Sequence, residues 1–146
     1  MHPRRLATAG LLAALLGFVS PALAQEVQRI AVQLRVGHIS QQPGTIDPAA
    51  ADLDRRLRRD FNYKSIHLIE DRTLDLGMNE LGSLQLPTGR WVTVRPRKVG
   101  DTGVLLAVEV QGLLRTRLRV PNRHQVVIGA QNYDDGKLVI SLEPRY

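Results

Sequence analysis

The chain has 146 residues, with 20 Lys and Arg against 14 Asp and Glu, no cysteine and 4% aromatic residues. That length fits one domain and excludes an enzyme with a separate cofactor domain, and without cysteine there is no disulfide, zinc-thiolate or thiol chemistry. At 43% hydrophobic and 23% charged the composition is that of a folded chain rather than a disordered one.

Residues 1–24 read as a signal peptide. Arg4 and Arg5 precede the apolar run Leu6–Val19, and Ser20-Pro21 breaks it. Ala22-Leu23-Ala24 then supplies a small-x-small cleavage site before Gln25, the order of an exported leader. The apolar run is shorter than the ~20 residues that a membrane span needs. No cysteine stands at the cleavage point for a lipoprotein anchor. The expectation is a periplasmic or secreted domain over 25–146, with no transmembrane segment after cleavage.

Ile30, Val32, Leu34 and Val36 alternate with Arg29, Ala31, Gln33 and Arg35. A period of two predicts a half-buried strand, and His38 continues its inward parity. After the loop Gln41–Gly44, Asp47-Pro48 predicts a helix start, with Asp as N-cap and Pro at the first helical position. Ala50, Leu53 and Leu57 form one helical face. Asp52 to Arg56 and Asp54 to Arg58 have the spacing for ion pairs. The helix is expected to end near Arg59–Phe61.

The remainder reads as strands. One lies within Tyr63–Glu70, and Leu74 and Leu76 alternate with acids in the next segment. Leu84 and Leu86 precede Pro87-Thr88-Gly89-Arg90, a hairpin turn. Trp91–Arg97 is β-rich, and Pro96 marks an edge or a bulge. Beyond the turn Gly100–Gly103, Val104, Leu106, Val108 and Val110 face one way. Leu114, Thr116, Leu118 and Val120 repeat the pattern, with Arg115, Arg117 and Arg119 opposite. Val126-Val127-Ile128 is a short buried run. Asp135-Gly136 is the strongest hairpin signal, and Leu138, Ile140 and Leu142 close the chain. There is no βαβ rhythm. The predicted fold is α+β: a mainly antiparallel β-sandwich or half-barrel of about seven to eight strands, with one helix after the first strand. Ile30, Val32, Leu34, Leu106, Val108, Leu118, Ile140 and Leu142 are expected to share one core, with Leu53 and Leu57 against it or at its end.

Chemistry-bearing residues are sparse. His38, His67 and His124 have no metal-binding spacing. His38 and His67 meet only if their strands are neighbours, together with Glu70 or Asp71; otherwise they are satisfied or partly exposed strand histidines. Ser40, Ser65, Ser83 and Ser141 sit in no nucleophile motif. Glu70-Asp71 and Asp134-Asp135 are adjacent pairs, which point to opposite faces on a strand and so do not form an acid–base couple. Asn132–Gly136 lacks the calcium-loop pattern and reads as a turn. Tyr63, Trp91 and Tyr133 are the larger amphipathic aromatics, and Trp91 reads as a packing residue beside the Pro87–Arg90 turn. No catalytic residue, cofactor or metal is assigned.

Arginine is the distinctive feature. Arg115, Arg117 and Arg119 stand on one strand face, ~7 Å apart at strand rise. Arg95 and Arg97 share that parity on a second strand, and Arg29 and Arg35 on a third. Strands in one sheet would make these an arginine field for an anionic partner; the plainer reading is a solvated outer face. Nucleic acid would fit the charge as well, but the expected export and the lack of interleaved aromatics argue against it, and no nucleic-acid partner is expected.

Ile30–Ser40, the Ile46-Asp47-Pro48 helix start with Leu53 and Leu57, Phe61–Ser65, Leu84–Arg90 and Val126–Gly129 together resemble small exported bacterial β-rich proteins of the secretion and envelope type. No activity is established for that group, so the resemblance implies no catalytic residue. Val126–Gly129 is also similar to the closing β-segment of secretin channels, where a second glycine is usual and Ala130 stands here. The sequence thus points to a non-catalytic binding or assembly module of the bacterial cell envelope, with an envelope protein as partner. One alternative is a binder of anionic envelope lipid or polymer through Arg95, Arg97, Arg115, Arg117 and Arg119. A second is a small periplasmic hydrolase using His38 or His67.

Overall fold

The computed structural model describes residues 28–146 together with Gly17; the leader expectation lies outside these residues. Strand β1 is Arg29–Ser40. A 3-10 turn, Pro48–Ala50, leads into α1, Ala51–Leu57. Seven strands follow: β2 Ser65–Gly77, β3 Gly82–Gln85, β4 Trp91–Gly100, β5 Gly103–Val110, β6 Leu114–Val120, β7 Val126–Tyr133 and β8 Gly136–Arg145. They form two four-stranded sheets, ordered β2-β1-β8-β7 and β3-β4-β5-β6. Every strand pair within them is antiparallel. The fold is the expected α+β sandwich with one short helix after the first strand.

Alternation builds the core. Ile30, Val32, Leu34 and Val36 of β1 and Leu138, Ile140 and Leu142 of β8 meet Val92, Val94, Leu106 and Val108 of the facing sheet, all buried. Complete burial of an aliphatic side chain of this size stabilises by roughly 1.5–3 kcal/mol. Leu118 points to the same core but is only half-buried, because β6 is an edge strand.

Leu53 and Leu57 do not join that core. With Ala50 and Tyr63 they pack on Ile39, Ile66 and Val139, a separate buried cluster. These strand residues have the opposite parity to Val36 and Leu138, so α1 covers the outer face of the first sheet. The helix is also shorter than expected, ending at Leu57 with Arg58 as C-cap. Asp54 pairs with Arg58 at 3.0 Å as the spacing predicted. Asp52 instead pairs with Arg55, and Arg56 turns to Asp60 at 2.9 Å. Asp47 is the N-cap, but of the 3-10 turn: its Oδ1 accepts from the Ala49 N–H. Its Oδ2 accepts from the Leu68 N–H at 3.0 Å, which pins the loop to the β2 edge.

Local irregularities explain the other differences. The segments around Ile66 and Leu74 form one strand, whose alternation is interrupted by a bulge opposite Val36/Gly37. Pro96 marks a bulge as expected, where Arg97 is the extra residue between Pro96 and Lys98. The β7–β8 hairpin turns at Asp134-Asp135, both at positive φ, and not at Asp135-Gly136. Gly136 already belongs to β8. A Cβ there would stand 2.1 Å from the Ile39 carbonyl oxygen, so glycine is required for close approach.

Candidate anion-binding groove

The two sheets treat arginine differently. Arg29 and Arg35 lie on β1, in the first sheet, and so are not part of a field with the other arginines. Each has a carboxylate across the strand: Asp75 at 3.1 Å from Arg29 and Asp71 at 3.9 Å from Arg35. Arg72 of the same sheet pairs with Glu70 at 3.2 Å.

Arg95, Arg97, Arg115, Arg117 and Arg119 share the outer face of the second sheet. Its register sets their arrangement. Ala107 of β5 lies between Arg95 of β4 and Arg117 of β6; Leu105 has Lys98 and Arg119 at its sides, and Glu109 has Thr93 and Arg115. The small Ala107 side chain leaves a depression between long neighbours. The resulting groove encloses about 660 Å³ and is lined by Arg95, Arg97, Arg115 and Arg117, with Leu81 at one side. Arg119 stands beyond it and donates weakly to Thr102 Oγ1 at 3.4 Å. Glu109 is the carboxylate among the groove residues, 3.5 Å from Arg115. Among the described residues, Arg95, Arg97 and Arg117 have no carboxylate within ion-pair distance. Five donors on each planar guanidinium suit bidentate capture of carboxylate or phosphate.

A somewhat larger cleft, about 720 Å³, lies between the Asp60–Tyr63 loop and the β7–β8 hairpin. Several of its polar groups are engaged within the chain. The Tyr63 hydroxyl donates to Asp54 Oδ1 at 2.5 Å, and burial followed by this bond to a carboxylate pushes its pKa well up. Asp60 holds Arg56, and the Ser40 hydroxyl oxygen accepts from the Gln42 N–H at 3.0 Å. This cleft carries Asp60, Asp134 and Asp135 with Lys137, a mixed and mainly acidic lining, whereas the arginine groove gathers four guanidiniums around one carboxylate.

His38 and His67 do meet: they are direct cross-strand partners on β1 and β2. The carboxylates do not join them. Glu70 pairs with Arg72, and Asp71 accepts from Gln33 on the opposite face. His38 Nε2 lies 3.0 Å from the Tyr133 carbonyl oxygen, with the two rings edge to face at 5.6 Å. Ser65 donates to the Gln42 carbonyl, and Ser141 accepts from Gln125. Trp91 is not a packing residue. It is 44% exposed on the outer face of β4, two residues before Thr93. Sequence reasoning found the arginines but missed Ala107, whose small size at an outward strand position is the one signal of the groove floor.

In comparisons with known proteins, the chain matches no family model, no curated protein and no solved structure.

Proposed function

We propose that the chain is a non-catalytic binding or assembly module of the bacterial cell envelope that takes an acidic protein partner on the outer face of β4, β5 and β6. The reading rests on one observation: Arg95, Arg97, Arg115 and Arg117 surround a groove floored by Ala107, with Glu109 as its carboxylate. Clustered cations beside a low-dielectric wall attract anions and strengthen charge-assisted hydrogen bonds. Carboxylate side chains carried on a polypeptide can enter between the guanidiniums that stand around Ala107. The leader reading of residues 1–24 supports an exported location.

The test is retention on immobilised polyglutamate, with acidic phospholipid vesicles as a parallel arm. Wild type should be retained on polyglutamate and elute as salt rises. The Arg95→Gln/Arg97→Gln/Arg115→Gln/Arg117→Gln variant should pass through. Retention on vesicles alone would transfer the site to anionic lipid, and retention on neither would end the reading.

A further inference from the structure

We propose that the free edge of β6 takes up an extended segment of the partner in which acidic and apolar residues alternate. The inference rests on the anionic-partner reading and adds how that partner is held. Among the described residues β6 hydrogen-bonds to β5 alone and ends its sheet. Its outward side chains are Arg115, Arg117 and Arg119, and its inward ones, Leu114, Thr116 and Leu118, are only half-buried. The equivalent inward positions of β5, Leu106 and Val108, are buried. A strand added beside β6 would complete that burial.

Periodicity and charge choose the occupant. Arginines two residues apart repeat at ~7 Å, and an extended chain repeats its own alternate side chains at the same rise, ~4.8 Å away. Carboxylates at every second position therefore meet successive guanidiniums, while the residues between them turn inward. Directly opposed unlike charges stabilise a strand pair and like charges oppose it. Two β6 edges would set arginine against arginine, so a second copy is disfavoured by the same row.

The inward side has a matching feature. A cleft of about 600 Å³ opens beside Leu114, between the β5–β6 turn and β7. It is lined by Leu113, which is 51% exposed, by Ile128 and Ile140, and by Gln131. The Gln131 Oε1 atom is buried and has no hydrogen-bond partner among the described residues. A buried acceptor left unpaired is costly, and an incoming backbone or side-chain N–H relieves that cost. The other edges lack this combination. β3 has four residues, the β2 edge is partly covered where Ile46 bridges Ile66, and β7 carries no charged row.

The probes are two capped peptides of equal composition: one alternates Glu and Val, and the other places the Glu residues in one block and the Val residues in another. The alternating peptide should bind about tenfold more tightly than the block peptide. It should slow hydrogen exchange of the 114–120 amides. The Arg115→Gln/Arg117→Gln/Arg119→Gln variant should weaken it about tenfold. Equal binding of both peptides, or binding that leaves β6 exchange unchanged, overturns strand addition and leaves the groove reading standing if polyglutamate is still retained. Failure of both peptides together with polyglutamate overturns both.

Discussion

Gly37 of β1 lies directly beneath Leu53 of α1: a Cβ on Gly37 would stand 3.0 Å from Leu53 Cδ2 and 3.3 Å from Val139 Cγ2. Both neighbours are fully buried and cannot give way into solvent. The missing side chain is what lets the helix sit on the sheet. Gly37→Val should therefore lift α1 and destabilise the fold by about 1–3 kcal/mol, as overpacking of a tight site does. Urea unfolding of Gly37→Val, Leu53→Ala and the double variant checks this. The double variant should be more stable than the sum of the single effects implies, because truncating Leu53 makes the room that valine needs. Simple additivity would place the two residues apart.

The β7–β8 hairpin gives a second expectation, with opposite signs at adjacent positions. Asp134 and Asp135 adopt φ of 40° and 59°, the left-handed region that two-residue hairpin turns require and that favours Asn and Gly. Asp135→Gly should stabilise by up to about 1 kcal/mol. Gly136→Ala should be strongly destabilising, because its Cβ would collide with the Ile39 carbonyl oxygen and His38 Nε2, 2.1 and 2.8 Å away. Thermal melts of the two variants should move in opposite directions. A tolerated alanine at 136 would mean that β8 does not run this close to β1.

The sequence showed which way side chains face more clearly than which strands are neighbours. Ile30–Val36 and Val104–Val110 alternate cleanly because each strand has one buried face, and that pattern is local. Pairing is not local. Arg29 and Arg35 shared the parity of Arg95, but their strand belongs to the other sheet, where Asp75 and Asp71 neutralise them. The bulge in β2 broke the alternation and hid the continuity of Ser65–Gly77. The second core was also hidden: Leu53 and Leu57 announce an apolar helix face without saying which surface receives it. Gly37, set between Val36 and His38 in a strand, was the available sign of a close approach. At the groove the arginines were legible from alternation, but the recess depends on Ala107 standing between Arg95 and Arg117, a relation set by register alone.

Asp47 supplies a pH dependence. Hydrogen bonds from the Leu68 and Ala49 N–H groups hold its carboxyl below the ordinary value of 3.8. A depressed carboxylate adds stability that is fully present above the unfolded-state value and is lost as pH falls through the folded-state one. The Asp47→Asn side chain has one acceptor oxygen and cannot serve both N–H groups. It should be less stable than wild type at neutral pH, and the gap should close as wild type is acidified below about pH 4. Melting curves across the acid range test this. A gap that stays constant with pH would show that ionised Asp47 contributes nothing beyond its shape.

The two arginine faces should respond to salt with opposite signs. On the second sheet Arg115 is 82% exposed, and its partner Glu109 is 41% exposed at 3.5 Å. Such a pair contributes at most about 1 kcal/mol, while Arg115, Arg117 and Arg119 repel one another along β6. Replacing all three by Gln should leave stability within about 0.5 kcal/mol of wild type at moderate salt. At low salt, where screening is weaker, the variant should be the more stable protein, since repulsion has been removed. On the first sheet Arg29 and Arg35 face Asp75 and Asp71. The Arg29→Gln/Arg35→Gln variant loses attraction to Asp75, Glu80 and Asp71, so its deficit should be greatest at low salt. Thermal melts of wild type and both variants at low and moderate salt decide the matter. If lowering salt penalises the β6 variant as it does the β1 variant, the β6 arginines are held by attraction within the chain, and the groove is a neutralised surface with little charge to offer a partner.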